Sequence, residues 1–178
     1  MSGEFSVKVV PQNRKAHVIS AASLIVAALL FVTRFIINKY TGLIDLGTVG
    51  FITASVFLYT KYIASSYYYE SMLTDDGERL FIIKKVTGKR ATTLCRISFG
   101  EILSIKKETG EEFKKHKTPR GTVKYLYTPT LFPSFVYRIE MRSAYERAEI
   151  VIECSDELAD VISNIAAGAR ALRELEDD

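Results

Sequence analysis

The chain has 178 residues, 48% of them hydrophobic, and a formal charge of +3. A charge this mild gives no reason to expect a nucleic-acid partner. Cys95 and Cys154 stand far apart without a companion His/Cys cluster. That excludes a disulfide framework and a zinc site, and leaves reduced, buried thiols in a cytosolic domain. The average hydrophobicity conceals a split into three parts. Residues 1–15 read as a cytosolic N-terminal tail, 16–69 as a transmembrane helical hairpin, and 70–178 as one cytosolic domain. The last part, roughly 105 residues, is the usual size of a single compact domain.

From Ala16 to Thr33 there is no charge, and about 20 apolar residues suffice to cross a bilayer core of about 30 Å. Each Leu, Ile, Val or Phe favours insertion by about 0.3–0.6 kcal/mol, against about 2.5–3.5 for a central Arg. The run therefore outweighs Arg34, which stands near the helix end where it can snorkel. The apolar run is long and no small-residue cleavage site follows it, so a retained anchor is expected rather than a cleaved signal peptide.

The second segment is weaker. It is uncharged from Leu46 to Thr60 but carries Gly47, Thr48, Gly50, Thr53 and Ser55. We expect it to lean on the first helix, with Ala16, Ser20, Ser23 and Ala27 on one face meeting Gly47, Gly50 and Ala54 on the other. Positive charge sets the orientation. Lys8, Arg14 and Lys15 precede the hairpin, and Lys61, Arg79, Lys84 and Lys85 follow it. Both termini are then cytosolic in a two-span protein of the cell membrane, with residues 38–45 outside. The turn holds Lys39, and the nearby Arg34 counts against this orientation. Tyr59, Tyr62 and Tyr67 to Tyr69 suit an interfacial aromatic belt, and Tyr67 to Tyr69 equally suit the start of a sheet.

Beyond Tyr68 the period changes from helical to alternating. Strands are expected at 68–73, 79–87, two within 91–107 around Gly100, then 123–127, 135–142 and 148–154, with turns at Asp75-Asp76-Gly77 and Gly88-Lys89. In the last hairpin Phe135, Tyr137, Ile139 and Met141 face inward. Val136, Arg138, Glu140 and Arg142 face outward, as do Glu149, Val151 and Glu153. Like charges directly opposite destabilise. The charges therefore predict a register with Met141 opposite Ile150, Arg142 opposite Glu149 and Arg138 opposite Glu153. Ser155 is a good N-cap for a terminal helix whose apolar face comprises Leu158, Val161, Ile162, Ile165, Ala169 and Leu172. The expected fold class is α+β: the helical hairpin, then about six or seven antiparallel strands in a strongly bent sheet plugged by an amphipathic helix.

Several short runs carry a family likeness: Met72-Leu73-Thr74-Asp75, then Glu78-Arg79-Leu80, the turn Thr87-Gly88-Lys89, and Arg96 to Ile102. With the preceding hairpin, this order resembles the pleckstrin-homology-like (PH-like) domains of bacterial membrane proteins of largely unknown function. The resemblance covers residues 60–175. Asp76-Gly77 and the charged insert 108–120 depart from it. It implies a fold and a membrane location; it implies no catalytic residue and no cofactor.

The chemistry in the chain is sparse. His17 and His116 have no carboxylate partner at local spacing, and no phosphate-cradling loop, metal-ligand spacing or nucleophile elbow occurs. Positive charge gathers instead at Lys106, Lys107, Lys114, Lys115, Lys117, Arg120 and Lys124, with a second group at Lys84, Lys85, Lys89 and Arg90. Lys114, Lys115, Lys117, Arg120 and Lys124 are the candidate contacts for anionic lipid headgroups or an acidic partner. The competing reading is a solvated loop in which Glu108, Glu111 and Glu112 cancel part of the charge. The expected function is a membrane-anchored, non-enzymatic module binding protein, peptide or anionic lipid headgroups. The alternative is an accessory subunit of a larger membrane complex such as a transporter.

Overall fold

The computed structural model describes residues 5–9, 13–37, 40–143 and 146–176. Asn38 and Lys39 of the expected hairpin turn, and the acidic pair Asp177-Asp178, lie outside the described residues. The fold is α+β, with a helix pair, two four-stranded sheets and a C-terminal helix. It forms two compact units: Pro11–Ser65, and Met1–Val10 together with Ser66–Asp178.

The first unit is the helix pair, α1 (Arg14–Arg34) and α2 (Thr41–Leu58), the latter prolonged by a π-helical turn, Tyr59–Ile63. Both helices are long and apolar enough to cross a membrane, with mean hydropathies of 2.2 and 1.6. Only 17% and 6% of their apolar windows are buried, unlike core helices of a soluble protein. On α1 the expected small face packs inward: Ala16, Ser20 and Ala27 are buried. Ser20 and Ser55 join the helices, Oγ to Oγ at 2.8 Å, and the Ser55 hydroxyl also donates to the Ser20 carbonyl at 3.0 Å. Asn13 Nδ2 donates to the Tyr62 carbonyl at 2.6 Å, tying the two ends together. Gly47 comes close to α1, since a Cβ there would stand 3.3 Å from Leu30 Cδ1.

Gly50 and Ala54 do not join this face. A Cβ at Gly50 would meet nothing within 4 Å, and Ala54 is exposed. The less exposed positions of α2 include Ile44, Gly47, Thr48 and Leu58, with Ser55 buried, so the Ser20–Ser55 pair turns Ser55 rather than Ala54 inward. Arg34, the last residue of α1, pairs with Asp45 of α2 at 3.3 Å.

In the second unit, β1 (Ser6–Val9), from the segment read as a tail, pairs antiparallel with β2 (Ser65–Leu73), Val9 opposite Tyr67. Tyr67 and Tyr69 are therefore strand residues with their rings in the core, not members of an interfacial belt. A tight turn, with Gly77 at φ +82°, leads to β3 (Arg79–Thr87), and a second, with Gly88 at φ +61°, to β4 (Arg90–Ser98). These four strands form one sheet in the order β1-β2-β3-β4. After a 3₁₀ turn, Phe99–Glu101, the second sheet has the order β5-β7-β8-β6, from β5 (Ile102–Thr109), β6 (Thr122–Tyr127), β7 (Phe135–Arg142) and β8 (Arg147–Ile152).

Two expectations fail in this sheet. The first is the all-antiparallel layout, since β6 runs parallel to β8 from Thr122–Arg147 to Tyr127–Ile152. The tight β7–β8 hairpin and β5 together occupy both edges of β7, so β6 is left the free edge of β8. The second is the charge-derived register. Met141 faces Ala148, Glu140 faces Glu149 and Arg142 faces Arg147. The turn outweighs the charges: Ser143 N–H donates to the Glu146 carbonyl at 2.9 Å, closing a short connection that a two-residue slip would lengthen. The charges find partners elsewhere, as described below, and Arg142 and Arg147 remain in water.

The C-terminal helix α4 (Asp156–Glu176) starts as expected, with Leu158 N–H donating to Ser155 Oγ at 3.3 Å. Its buried face is Leu158, Ala159, Ile162 and Ala166, whereas Val161 and Leu172, expected inside, are exposed. The inward stripe is narrower than the sequence pattern suggested. Ile162 belongs to one core with Tyr69, Phe81, Ile83, Phe99, Ile139, Ile150 and Ile152, none of which is exposed. Each such side chain stabilises the fold by about 1.5–3 kcal/mol relative to exposure.

Candidate functional site

The strand directions explain the charged insert. β5 runs antiparallel to β7, as β8 does, so β5 and β6 run the same way at opposite edges of their sheet. The connection between them must therefore cross one face of the sheet. It starts in a short helix, α3 (Gly110–Lys115), opened by a capping box. Thr109 N–H donates to Glu112 Oε2 at 2.8 Å, and Glu112 N–H donates to Thr109 Oγ1 at 3.3 Å. Gly110 is needed at this point, since a Cβ would come 2.7 Å from the Pro133 carbonyl oxygen.

Under the crossover lies a buried ionic cluster. Arg138, 1% exposed, donates from Nε to Glu108 Oε1 at 2.7 Å and from Nη2 to Glu108 Oε2 at 2.6 Å. Its Nη1 donates to Glu149, itself buried. The crossover reaches the same carboxylate from above, with His116 Nε2 at 3.1 Å and Thr118 Oγ1 at 3.2 Å. His116 Nδ1 stands 3.9 Å from Glu108. His116 thus has two carboxylate neighbours that local spacing could not reveal. Hydrogen bonding from Arg138 holds the Glu108 carboxyl below the usual carboxylate range. Glu140 is held low chiefly by its bond from Lys106 on β5. Glu153, expected opposite Arg138, accepts instead from Thr130, from Oγ1 at 2.7 Å and from N–H at 3.1 Å, and burial raises its pKa.

The alternating pattern puts Arg138 and Glu149 on an outward face, yet Val136 and Val151 alternate with the charges on that face, and both are fully buried. Valines on an outer face mean that something covers it.

The predicted contact residues divide accordingly. Lys114 and Lys115 in the last turn of α3, Lys117 and Arg120 are exposed, with no carboxylate partner among the described residues. Lys124 on β6 is half-buried, its ammonium 4.5 Å from the Phe113 ring centroid. Glu108 and Glu112 are hydrogen-bonded within the fold, to Arg138 and Thr109, but still act electrostatically on Lys124 and Lys115, and Glu111 is exposed. Lys106 and Lys107 are spent on Glu140 and Asp156. In the second basic group, Lys84 pairs with Glu70, while Lys85, Lys89 and Arg90 have no carboxylate partner among the described residues.

Two further features complete the surface. A cleft of about 950 Å³ lies between the second half of α4 and the β2–β3 turn. Leu73, Ile165, Ala169 and Leu172 form its apolar floor, with Arg79 and Arg173 among its charged wall residues. Cys154 is buried as expected and Cys95 half-buried; burial pushes their thiols up to about 12 and about 11, which disfavours the reactive thiolate. No group of three or more His, Cys, Asp or Glu that could hold a metal ion occurs among the described residues. Comparison with protein-family models, curated proteins and solved structures finds no match.

Proposed function

We propose that the chain is a membrane-anchored, non-enzymatic interaction module, held at the cytosolic face of the cell membrane by the α1–α2 pair. One observation carries the reading. β1 precedes the pair, β2 follows it, and the two strands hydrogen-bond to each other through Ser6–Glu70 to Val9–Tyr67. Strands of one sheet share one compartment, so a helix that crosses outward must be matched by one that returns. The apolar, unburied helix surfaces supply the reason to cross. The cations Lys8, Arg14, Lys15 and Lys61 on the flanks supply the direction. The Arg34–Asp45 pair gives the arginine near the turn a counter-ion, which lowers the cost of holding it at the membrane edge.

The sheet unit is read as PH-like in layout, supported by two packed sheets followed by one helix. The parallel β6–β8 pair is a departure from that layout. Protein, peptide or anionic headgroups are the ligand classes, because what the surface offers is unpaired cations and an apolar cleft.

Cysteine accessibility tests the topology. Lys39→Cys should react with a membrane-impermeant maleimide in intact cells, and Lys89→Cys only after permeabilisation. Labelling of Lys89→Cys from outside, or release of the chain by alkaline carbonate, would overturn the reading.

A second reading, an accessory subunit of a larger membrane complex, is favoured by Gly50 and Ala54. These small residues point away from α1 and leave a close-approach face for another helix. Co-purification in mild detergent that is lost with Gly50→Leu would support it.

A further inference from the structure

We propose that the β3–β4 turn, through Lys85, Lys89 and Arg90, docks the sheet unit on the anionic phospholipid surface of the membrane that anchors it. This rests on the anchoring reading above and relocates the lipid contact from the crossover to a different cationic group.

The argument is one of position along the strands. The chain leaves the sheet toward α1 just after Val9 and re-enters it from α2 at Ser65, and Val9 lies opposite Tyr67. Both covalent connections therefore leave from one end of the sheet. β2 and β3 are nine residues each and are joined by a tight turn closed by Thr74 N–H donating to the Glu78 carbonyl at 2.8 Å. β3 thus travels away and comes back, and its end at Thr87, with Gly88, Lys89 and Arg90, returns to the end where the helix pair is attached. The opposite end, with the Asp76–Gly77 turn and the α4 cleft, is about 30 Å away along the strands. Charged headgroups act over a Debye length of about 8 Å at physiological salt. Among the cations of this sheet, those at the attachment end lie nearest along the strands to the residues that connect to the helix pair.

The chemistry of the turn agrees. From Lys84 to Arg96 the chain contains no carboxylate. Lys84 is spent on Glu70, which leaves Lys85, Lys89 and Arg90 unpaired among the described residues. Lys89 and Arg90 are exposed, and Gly88 at φ +61° keeps the turn tight so that the two project from its tip. Lys8, also exposed, lies on β1 opposite Tyr68, near the same end. Lys114, Lys115, Lys117 and Arg120 are equally unpaired, but the crossover belongs to the other sheet, whereas β3 lies directly beside β2, the strand that carries the connection to the helix pair.

The test uses the full chain in lipid nanodiscs, either of phosphatidylcholine alone or of an equal mixture with phosphatidylglycerol, read by millisecond hydrogen exchange. Amides of residues 87–91 should exchange about fivefold more slowly in the anionic discs, and the difference should vanish at high salt. Lys85→Gln/Lys89→Gln/Arg90→Gln should abolish it, while Lys114→Gln/Lys115→Gln/Lys117→Gln/Arg120→Gln should leave it intact. All these side chains lie at the surface or half-buried, so either variant should fold. Equal exchange in both discs overturns the proposal. So does protection that only the crossover variant removes, or protection that persists at high salt. A chain that fails to enter the discs overturns the anchoring reading as well. A chain that enters without lipid-dependent protection overturns this inference alone.

Discussion

The two units of this protein are built with opposite polarity. In the helix pair, apolar side chains such as Val18, Ile25, Leu29, Leu43 and Leu46 point outward, while serines 20 and 55 meet inside. In the sheet unit Tyr69, Phe81, Phe99 and isoleucines such as Ile83, Ile139 and Ile150 are inside and most charges lie in water. The exception is Arg138 with Glu108 and Glu149, which is buried only because every member is hydrogen-bonded. Charges must be paired wherever water is excluded, which accounts for the sheet unit; on the membrane-spanning reading proposed above, backbone and hydroxyls of the helix pair must likewise be satisfied internally. The helix pair therefore depends on packing and a few hydroxyl bonds, whereas one face of the sheet depends on an ionic cluster.

That contrast can be broken most severely at Arg138. Arg138→Met leaves Glu108 and Glu149 buried without their partner and should cost about 3–5 kcal/mol by chemical denaturation. Adding Glu108→Gln and Glu149→Gln should recover part of the loss, because the penalty comes from unpaired charge and not from lost volume.

Acid should attack the same cluster. The Glu108 and Glu140 pKa values lie below those of the unfolded chain. Their contribution is complete above about pH 4.3 and is lost as pH falls through the depressed values. Glu153, raised by burial, acts with the opposite sign as pH rises through its own pKa. The thermal midpoint should fall below about pH 4.3, and fall less in Arg138→Met, which no longer has the Glu108 share to lose.

A smaller effect is expected at the crossover. Thr109→Ala removes the hydroxyl half of the capping box and should cost about 1 kcal/mol. It should appear as faster hydrogen exchange of residues 110–121, with the core strands little changed. The smallest effect is in the helix pair, where Ser20→Ala/Ser55→Ala should weaken helix association by about 0.6 kcal/mol in detergent titrations. A loss there as large as that of Arg138→Met would contradict the contrast between the units.

The site was only partly legible in the chain. Lys114, Lys115, Lys117 and Arg120 were identified as a basic cluster from composition alone and are exposed, because long charged side chains in a glycine- and proline-flanked connection have little reason to be buried. The partners of the neighbouring carboxylates are legible only in part: Glu112 caps α3 from three residues away, a local motif, whereas Glu108 serves Arg138, 30 residues on, which no local spacing reveals. His116 is similar: its carboxylates come from β5 and β8, 8 and 33 residues away in the chain.

What the sequence determined by itself is local: two apolar helices, strands at 79–87 and 135–142, the Ser155 cap, and tight turns at Gly77 and Gly88. Periodicity, capping and positive φ depend on near neighbours, so they can be read in a line of residues. Only the tertiary structure decided that residues 6–9 form an edge strand beside β2, that β6 lies parallel to β8, and that Met141 faces Ala148. It also decided that a crossover seals a charged face. These depend on which edges remain free once the tight hairpins have closed, and on which distant group reaches a buried charge. Both are properties of the assembled sheet, and no window of sequence contains them.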